Sequence, residues 1–157
     1  MKCAPVVAYK QRLDSLFSQA KQVQAFAADP ELLSHWAKYL CVLVSGFLEV
    51  ALCEIYAEYA EGRTDRQISK FVRRRLESVN NPRIRRILEV TSWFSEDWRK
   101  QLEASLQDWH VTAVDSIMEH RHRIAHGRVS NISYHDIANY YRYAVEVVEL
   151  IEQQCGI

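Results

Sequence analysis

The sequence predicts an all-α fold: one domain over residues 1–157, built as a helical bundle of about six or seven helices. Apolar residues recur at intervals of three and four along most of the chain, the period of a helix with one buried face. No segment alternates polar and apolar residues as a half-buried strand would. Only four Gly and three Pro interrupt 157 residues, of which 48% are hydrophobic, enough apolar surface to build a core.

Leu13, Leu16, Phe17, Ala20, Val23 and Ala27 mark the first amphipathic stretch, which Asp29-Pro30 ends. Pro30 suits the first turn of the next helix, where its missing N–H would have no partner in any case. That helix carries Leu33, Trp36, Leu40, Val44, Phe47, Ala51, Ile55 and Tyr59 in phase, and Gly62 closes it. Between Leu40 and Leu52 it is apolar on nearly every side, so it is expected at the centre of the bundle, with Gly46 admitting a close neighbour. Glu49 breaks this run, and a carboxylate there needs solvent, a donor or a cation.

A shorter basic helix is expected from Asp65 to Ser78, with Ile68, Phe71, Val72 and Leu76 facing inward, before Asn80-Asn81-Pro82 breaks the chain. Ile84, Ile87, Leu88 and Val90 indicate a short helix, and Trp98, Leu102 and Leu106 another within Trp93 to Leu106. Val111, Val114, Ile117, Met118, Ile124 and Ala125 set the next, which Gly127 terminates. Ser133 and Asp136 have capping-box spacing at the start of the last, whose stripe is Ile137, Tyr140, Tyr141, Ala144, Val148 and Ile151. Trp36, Trp93, Trp98 and Trp109 fall at helical spacing and are expected mostly in the core. No repeat, low-complexity tract or linker divides the chain.

Cys3, Cys41, Cys53 and Cys155 form no C-x-x-C pair and read as reduced core thiols. The N-terminus has no apolar segment of the secretory kind, and the uncharged run Tyr39 to Leu48 is too short for a bilayer, so a cytoplasmic location and no membrane association are expected. Formal net charge is zero, but between Arg63 and Arg86 nine cationic side chains face two acidic ones, a local excess of seven. Such a stretch suits a phosphate backbone and equally a solvated helix face or a protein interface.

The densest chemistry lies in Glu119-His120-Arg121-His122-Arg123-Ile124-Ala125-His126-Gly127-Arg128, which holds three of the six histidines. Arg121 shares the apolar stripe of Ile117 and Ile124, so it either snorkels, pairs with Glu49 or binds an anion. Its planar guanidinium matches phosphate oxygens, and an imidazole such as His126 exchanges protons near neutral pH. The two suit phosphodiester cleavage.

Arginine, four residues, then histidine resembles the signature of the HEPN family, here Arg121-His122-Arg123-Ile124-Ala125-His126. The stretch Tyr39 to Glu49 is similar to the central helix of the RiboL-PSP-HEPN subgroup, and the likeness covers most of the chain. The resemblance implies a ribonuclease needing no metal or other cofactor, working as a homodimer in which two motifs face one cleft. In that mechanism the ribose 2′-hydroxyl attacks phosphorus, leaving a 2′,3′-cyclic phosphate and a 5′-hydroxyl. His126 would act as general base or acid and Arg121 would hold the phosphate. His122 stands where members more often carry Asn or Asp, and would either bind the phosphate or position its neighbours. Arg123, Arg128, Tyr140 and Tyr141 are the expected substrate contacts, the two tyrosines meeting either substrate or the other subunit. Apart from the resemblance, the place of Glu49 on the central helix suggests that it orients Arg121 or His126. RNA is the expected partner, with an antitoxin or other regulatory protein a further one, in phage defence, a toxin system or RNA processing.

Five residues at 100° each set His126 about 140° around an ideal helix from Arg121. Either helix termination at Gly127 swings His126 inward, or the two act in different halves of a dimeric cleft. Two rival readings remain. His122 and His126 have the i, i+4 spacing of metal ligands, against which stand the repulsion of Arg121 and Arg123 and the lack of an H-E-x-x-H order. The other rival keeps the fold without catalysis, as a module that binds RNA, a nucleotide or a protein.

Overall fold

The computed structural model describes residues 1–26 and 29–156, and of residues 23–26 the backbone alone. Seven helices follow in order among them: α1 (Ala4–Phe26), α2 (Pro30–Glu61), α3 (Arg66–Glu77), α4 (Ile84–Ser92), α5 (Glu96–Ser105), α6 (Asp108–Ala125) and α7 (Tyr134–Cys155). No strand occurs among the described residues. Ala27, expected on the first buried stripe, lies outside the described residues, as does the side chain of Val23.

α2 is the axis of the bundle, packed by α1, α3, α6 and α7. Leu40, Val44, Phe47, Leu48, Leu52 and Ile55 are buried along it, but Val42 is exposed and Leu43, Val50 and Cys53 half-buried, so the helix is central yet open along one side rather than enclosed on nearly every side. By length and composition α2 would suffice to cross a membrane, but 67% of its apolar window is buried inside the bundle. Asp29 accepts the Glu31 amide at 2.9 Å and Pro30 opens the first turn. Gly62 does end the helix, in a right-handed conformation with φ −75°, so it does not use the freedom of glycine. Gly46 does use its lack of a side chain, because a Cβ there would lie 2.8 Å from the Tyr9 hydroxyl, which donates to the Leu43 carbonyl.

α1 begins at Ala4, with Pro5 tolerated in its first turn, and buries Val6, Leu13, Phe17 and Ala20. It also meets α7, where Phe17 stacks on Tyr141 with ring centroids 4.7 Å apart. Near the other end of α7, the Glu152 carboxylate is buried and accepts the Lys2 and Cys3 amides at 2.8 and 2.9 Å. α7 opens with the expected capping box, Ser133 Oγ accepting the Asp136 amide and Asp136 accepting the Ser133 amide, each at 3.1 Å. α6 has a box that spacing did not reveal: His110 at its third position accepts the Gln107 amide at 3.1 Å, and its other ring nitrogen meets Glu146 of α7 at 2.9 Å.

Three expectations need correction. Ile68 and Phe71 of α3 are 50% and 71% exposed, so of the four apolar residues expected inward only Leu76 is fully buried and Val72 half-buried. They share a face, but no helix covers its outer part. Trp93 and Trp109 are 37% and 50% exposed, and Trp36 and Trp98 half-buried, so the tryptophans form the rim of the core. Cys53 is half-buried, whereas Cys3, Cys41 and Cys155 lie fully in the core as free thiols.

Candidate active site at the end of the sixth helix

α6 presents two unlike faces. The inner one runs through His110, Val114, Ile117 and Met118, all buried, to Arg121 and Ile124, both half-buried. At this level α6 lies close against α2: the Cys41 thiol reaches the Ile117 carbonyl at 3.5 Å and sits beside the Arg121 backbone amide. Burial pushes the Cys41 thiol up to about 12, so it stays protonated and does not serve as a nucleophile. Arg121 therefore leaves a backbone wedged against the core helix, and among the described residues its side chain has no carboxylate partner.

The outer face carries Asp115, Glu119, His122, Arg123 and His126, which an ideal helix groups within about 100° of one another. His122 and His126 are exposed, with ring centroids 4.4 Å apart. The helix stays regular to its end: the His126 amide bonds the His122 carbonyl at 3.2 Å. Gly127, at φ +64°, donates to Ile124, and Arg128 donates to Arg123 at 2.8 Å. These two bonds make a Schellman motif with Gly127 in the left-handed position. His126 is thus not swung inward, and within one chain it pairs with His122 rather than Arg121.

Glu119, given no role by the sequence beyond its place in the dense run, ties the region together. Its carboxylate meets Arg83 at 2.7 Å and Arg123 at 3.2 Å. Hydrogen bonds from Arg83, then from Arg123, hold its carboxyl below the usual range. One turn earlier, Asp115 accepts the Ile84 amide at 2.9 Å and so caps α4 from α6. Together these carboxylates dock the basic α3–α4 segment beside the motif. No periodicity could reveal that pairing, since 36 residues separate Arg83 from Glu119.

Glu49 does not meet Arg121 or His126. It accepts the Asn81 amide at 2.6 Å, and Asn81 holds φ +49° in the turn before α4. An acid within an apolar run thus finds a backbone donor in place of a cation. His120 Nδ1 lies 3.0 Å from Ser130 Oγ and ties the α6–α7 loop to the helix. Its burial, then the Arg123 charge, holds the imidazole below the ordinary histidine range. Arg128 is exposed just past the motif and Tyr140 is half-buried. Tyr141 is 8% exposed and its hydroxyl donates to Asp14 of α1 at 2.8 Å, so it faces the core. No group of three His, Cys, Asp or Glu close enough to hold a metal occurs among the described residues.

The basic stretch is only partly neutralised. Arg73 pairs with Glu54 and Glu61, and Arg86 with Glu89. Arg63 lies over the Tyr59 ring at 4.0 Å, while Arg75 and Arg86 lie over Trp93 at 5.0 and 5.1 Å.

Among known proteins, the family model described as RiboL-PSP-HEPN matches residues 8–156 of this chain. No curated protein and no solved structure matches it.

Proposed function

The chain belongs to the RiboL-PSP-HEPN family, and from that premise we propose that it is a metal-independent endoribonuclease, active as a homodimer with the α6 ends of two copies lining one cleft. The observation that carries this reading is Arg121: a half-buried guanidinium on the core-facing stripe of α6, without a carboxylate partner among the described residues, one turn from an exposed imidazole. A structural arginine in such a position would be expected to have a partner. An arginine held for phosphate would be left free to meet it.

In this mechanism the His126 imidazole takes the proton of the ribose 2′-hydroxyl as the oxygen attacks phosphorus. Arg121 holds the non-bridging oxygens as negative charge builds on them. The 5′-oxygen leaves with a proton taken from water, and the products are a 2′,3′-cyclic phosphate and a 5′-hydroxyl. Pairing across two copies removes the geometric difficulty, because Arg121 and His126 of one α6 point to different sides. His122, whose ring touches His126, positions it, and Arg123 and Arg128 attract the flanking phosphates. The setting would be phage defence, a toxin held by an antidote or other regulatory protein, or RNA processing.

The separation of Arg121 and His126 within one chain also favours a second reading, a module that binds RNA, a nucleotide or a protein without cutting. One experiment separates them: wild type, Arg121→Ala and His126→Ala incubated with RNA in chelator, with end groups identified. We expect cleavage by the wild type alone, leaving cyclic phosphate ends, and a loss on the order of 10²–10⁴-fold in His126→Ala. Equal cutting by all three, or by none, sinks the nuclease reading in favour of the binding module.

A further inference from the structure

We propose that the α3–α4 face is a single-stranded RNA tract that feeds the motif, with an aromatic cleft at its far end that takes an unpaired base. The cleft, about 650 Å³, lies between the end of α2, α3 and the α4–α5 junction, and is lined by Tyr59, Phe71, Trp93 and Phe94 together with Arg63 and Arg75. Its volume falls in the range of sites for small flat ligands, roughly 300–1,000 Å³. Phe71 is 71% exposed at the cleft, the wide-open ring a stacking platform needs.

The cations here are arranged for an anion from outside. Arg63 and Arg75 have no carboxylate partner among the described residues and rest on the Tyr59 and Trp93 rings. A ring face holds a guanidinium in place and leaves most of its N–H edge open, where a carboxylate would occupy it; Arg63 gives one N–H to the Tyr59 carbonyl at 3.4 Å. From Trp93 the arginines continue toward α6. Arg86 lies over the same ring and also lines a second hollow, of about 330 Å³, with Asn81, Arg83, Arg85 and Glu89. Arg83 then reaches Glu119, and through it Arg123 of the motif helix. Glu89 is the acid in that hollow, and Arg86 already neutralises it. A flat apolar slot, free guanidinium groups and a cationic trail to the motif match a chain of alternating bases and phosphates. A second copy of this chain would set one surplus of seven cations against another.

This inference rests on the ribonuclease reading for its destination, yet its test does not depend on cutting. The full-length protein is titrated with a fluorescent single-stranded RNA carrying 2′-O-methyl groups throughout, which cannot undergo 2′-oxygen attack, and anisotropy is read at several salt concentrations. Phe71→Ala, at an exposed position, and Arg63→Gln/Arg75→Gln are compared with wild type. Melting temperature and sedimentation serve as controls. We expect each variant to bind on the order of tenfold more weakly with unchanged melting and sedimentation. The arginine pair should also lower the salt slope by about 0.7 for each phosphate it no longer holds.

Binding equal to wild type in both variants overturns the tract, and so does a wild type that does not bind the RNA at all. A Phe71→Ala protein that sediments as a smaller species makes the cleft an interface between proteins and overturns it as well. Wild type that binds this RNA through the cleft but leaves ordinary RNA uncut leaves the tract standing and removes the ribonuclease reading. Cutting that persists with unchanged binding in the variants does the reverse.

Discussion

Arg121 and His120 are neighbours on α6 with opposite demands. Arg121 keeps its charge near the core helix without a carboxylate partner among the described residues, and only its fork geometry distinguishes it from any other cation. Arg121→Lys keeps the charge and loses the two-point grip on phosphate. We therefore expect its cleavage rate to fall most of the way toward that of Arg121→Ala, with the RNA affinity of the α3–α4 face unchanged; a rate near wild type would make Arg121 a mere point charge. Burial, then the Arg123 charge, pushes the folded pKa of His120 below the ordinary value of 6.5. The folded chain then binds this proton less readily than the unfolded one, and the stability it contributes is complete above about 6.5 and lost as pH falls below it. Thermal melting should decline from about pH 6.5 toward 5, more shallowly in His120→Gln. Identical slopes would remove His120 as the cause. The placement of these two residues was half legible. The apolar stripe identified Arg121 as out of place, and the run of three histidines marked the region. The Ser130 hydroxyl that holds His120 comes from a loop whose path no periodicity specifies.

Among elements, the end of α6 carries the proposed site, and Gly127 shapes that end. With φ +64° and nothing within 4 Å of a built Cβ, a side chain at Gly127 meets backbone strain alone. Gly127→Ala should cost about 1–2 kcal/mol. That amounts to a melting temperature lower by about 2–8 °C, and Gly127→Asn should lose less. Because the Schellman bonds set where His126 sits, the same change should reduce cleavage beyond its effect on melting. An unchanged rate per folded molecule would uncouple the helix end from the chemistry. Helix ends were the most legible parts of the sequence. Pro30, Ser133 with Asp136, and Gly127 each act through bonds within a few residues. Coverage of helix faces was not. The α3 pattern grouped Ile68, Phe71, Val72 and Leu76, but whether another helix lies over a face is decided by elements far away in sequence. Glu49 has the same lesson, since an acid in an apolar run announces a partner without naming Asn81.

At the scale of the whole molecule, the bundle places the two halves of one motif on two sides of one helix. A single chain therefore brings Arg121 against α2 and His126 to the outer face beside His122. In the proposed dimer a symmetric pair of chains would supply each group twice, and an isologous interface through the α6 ends would set the inner residue of one copy against the outer residue of the other. Subunit mixing tests this directly. Arg121→Ala and His126→Ala proteins, each inactive alone, are unfolded together, refolded at equal amounts and assayed with RNA in chelator. Half of the dimers formed are then mixed, and each mixed dimer keeps one Arg121 and one His126, on different copies. If the two act across the interface, mixing should restore activity to roughly a quarter of wild type, since one of two crossed pairs survives in half the dimers. Wild-type dimers refolded by the same route provide the scale. Continued silence would mean that cutting requires both groups on one copy or all four together, and the crossed arrangement would have to be given up.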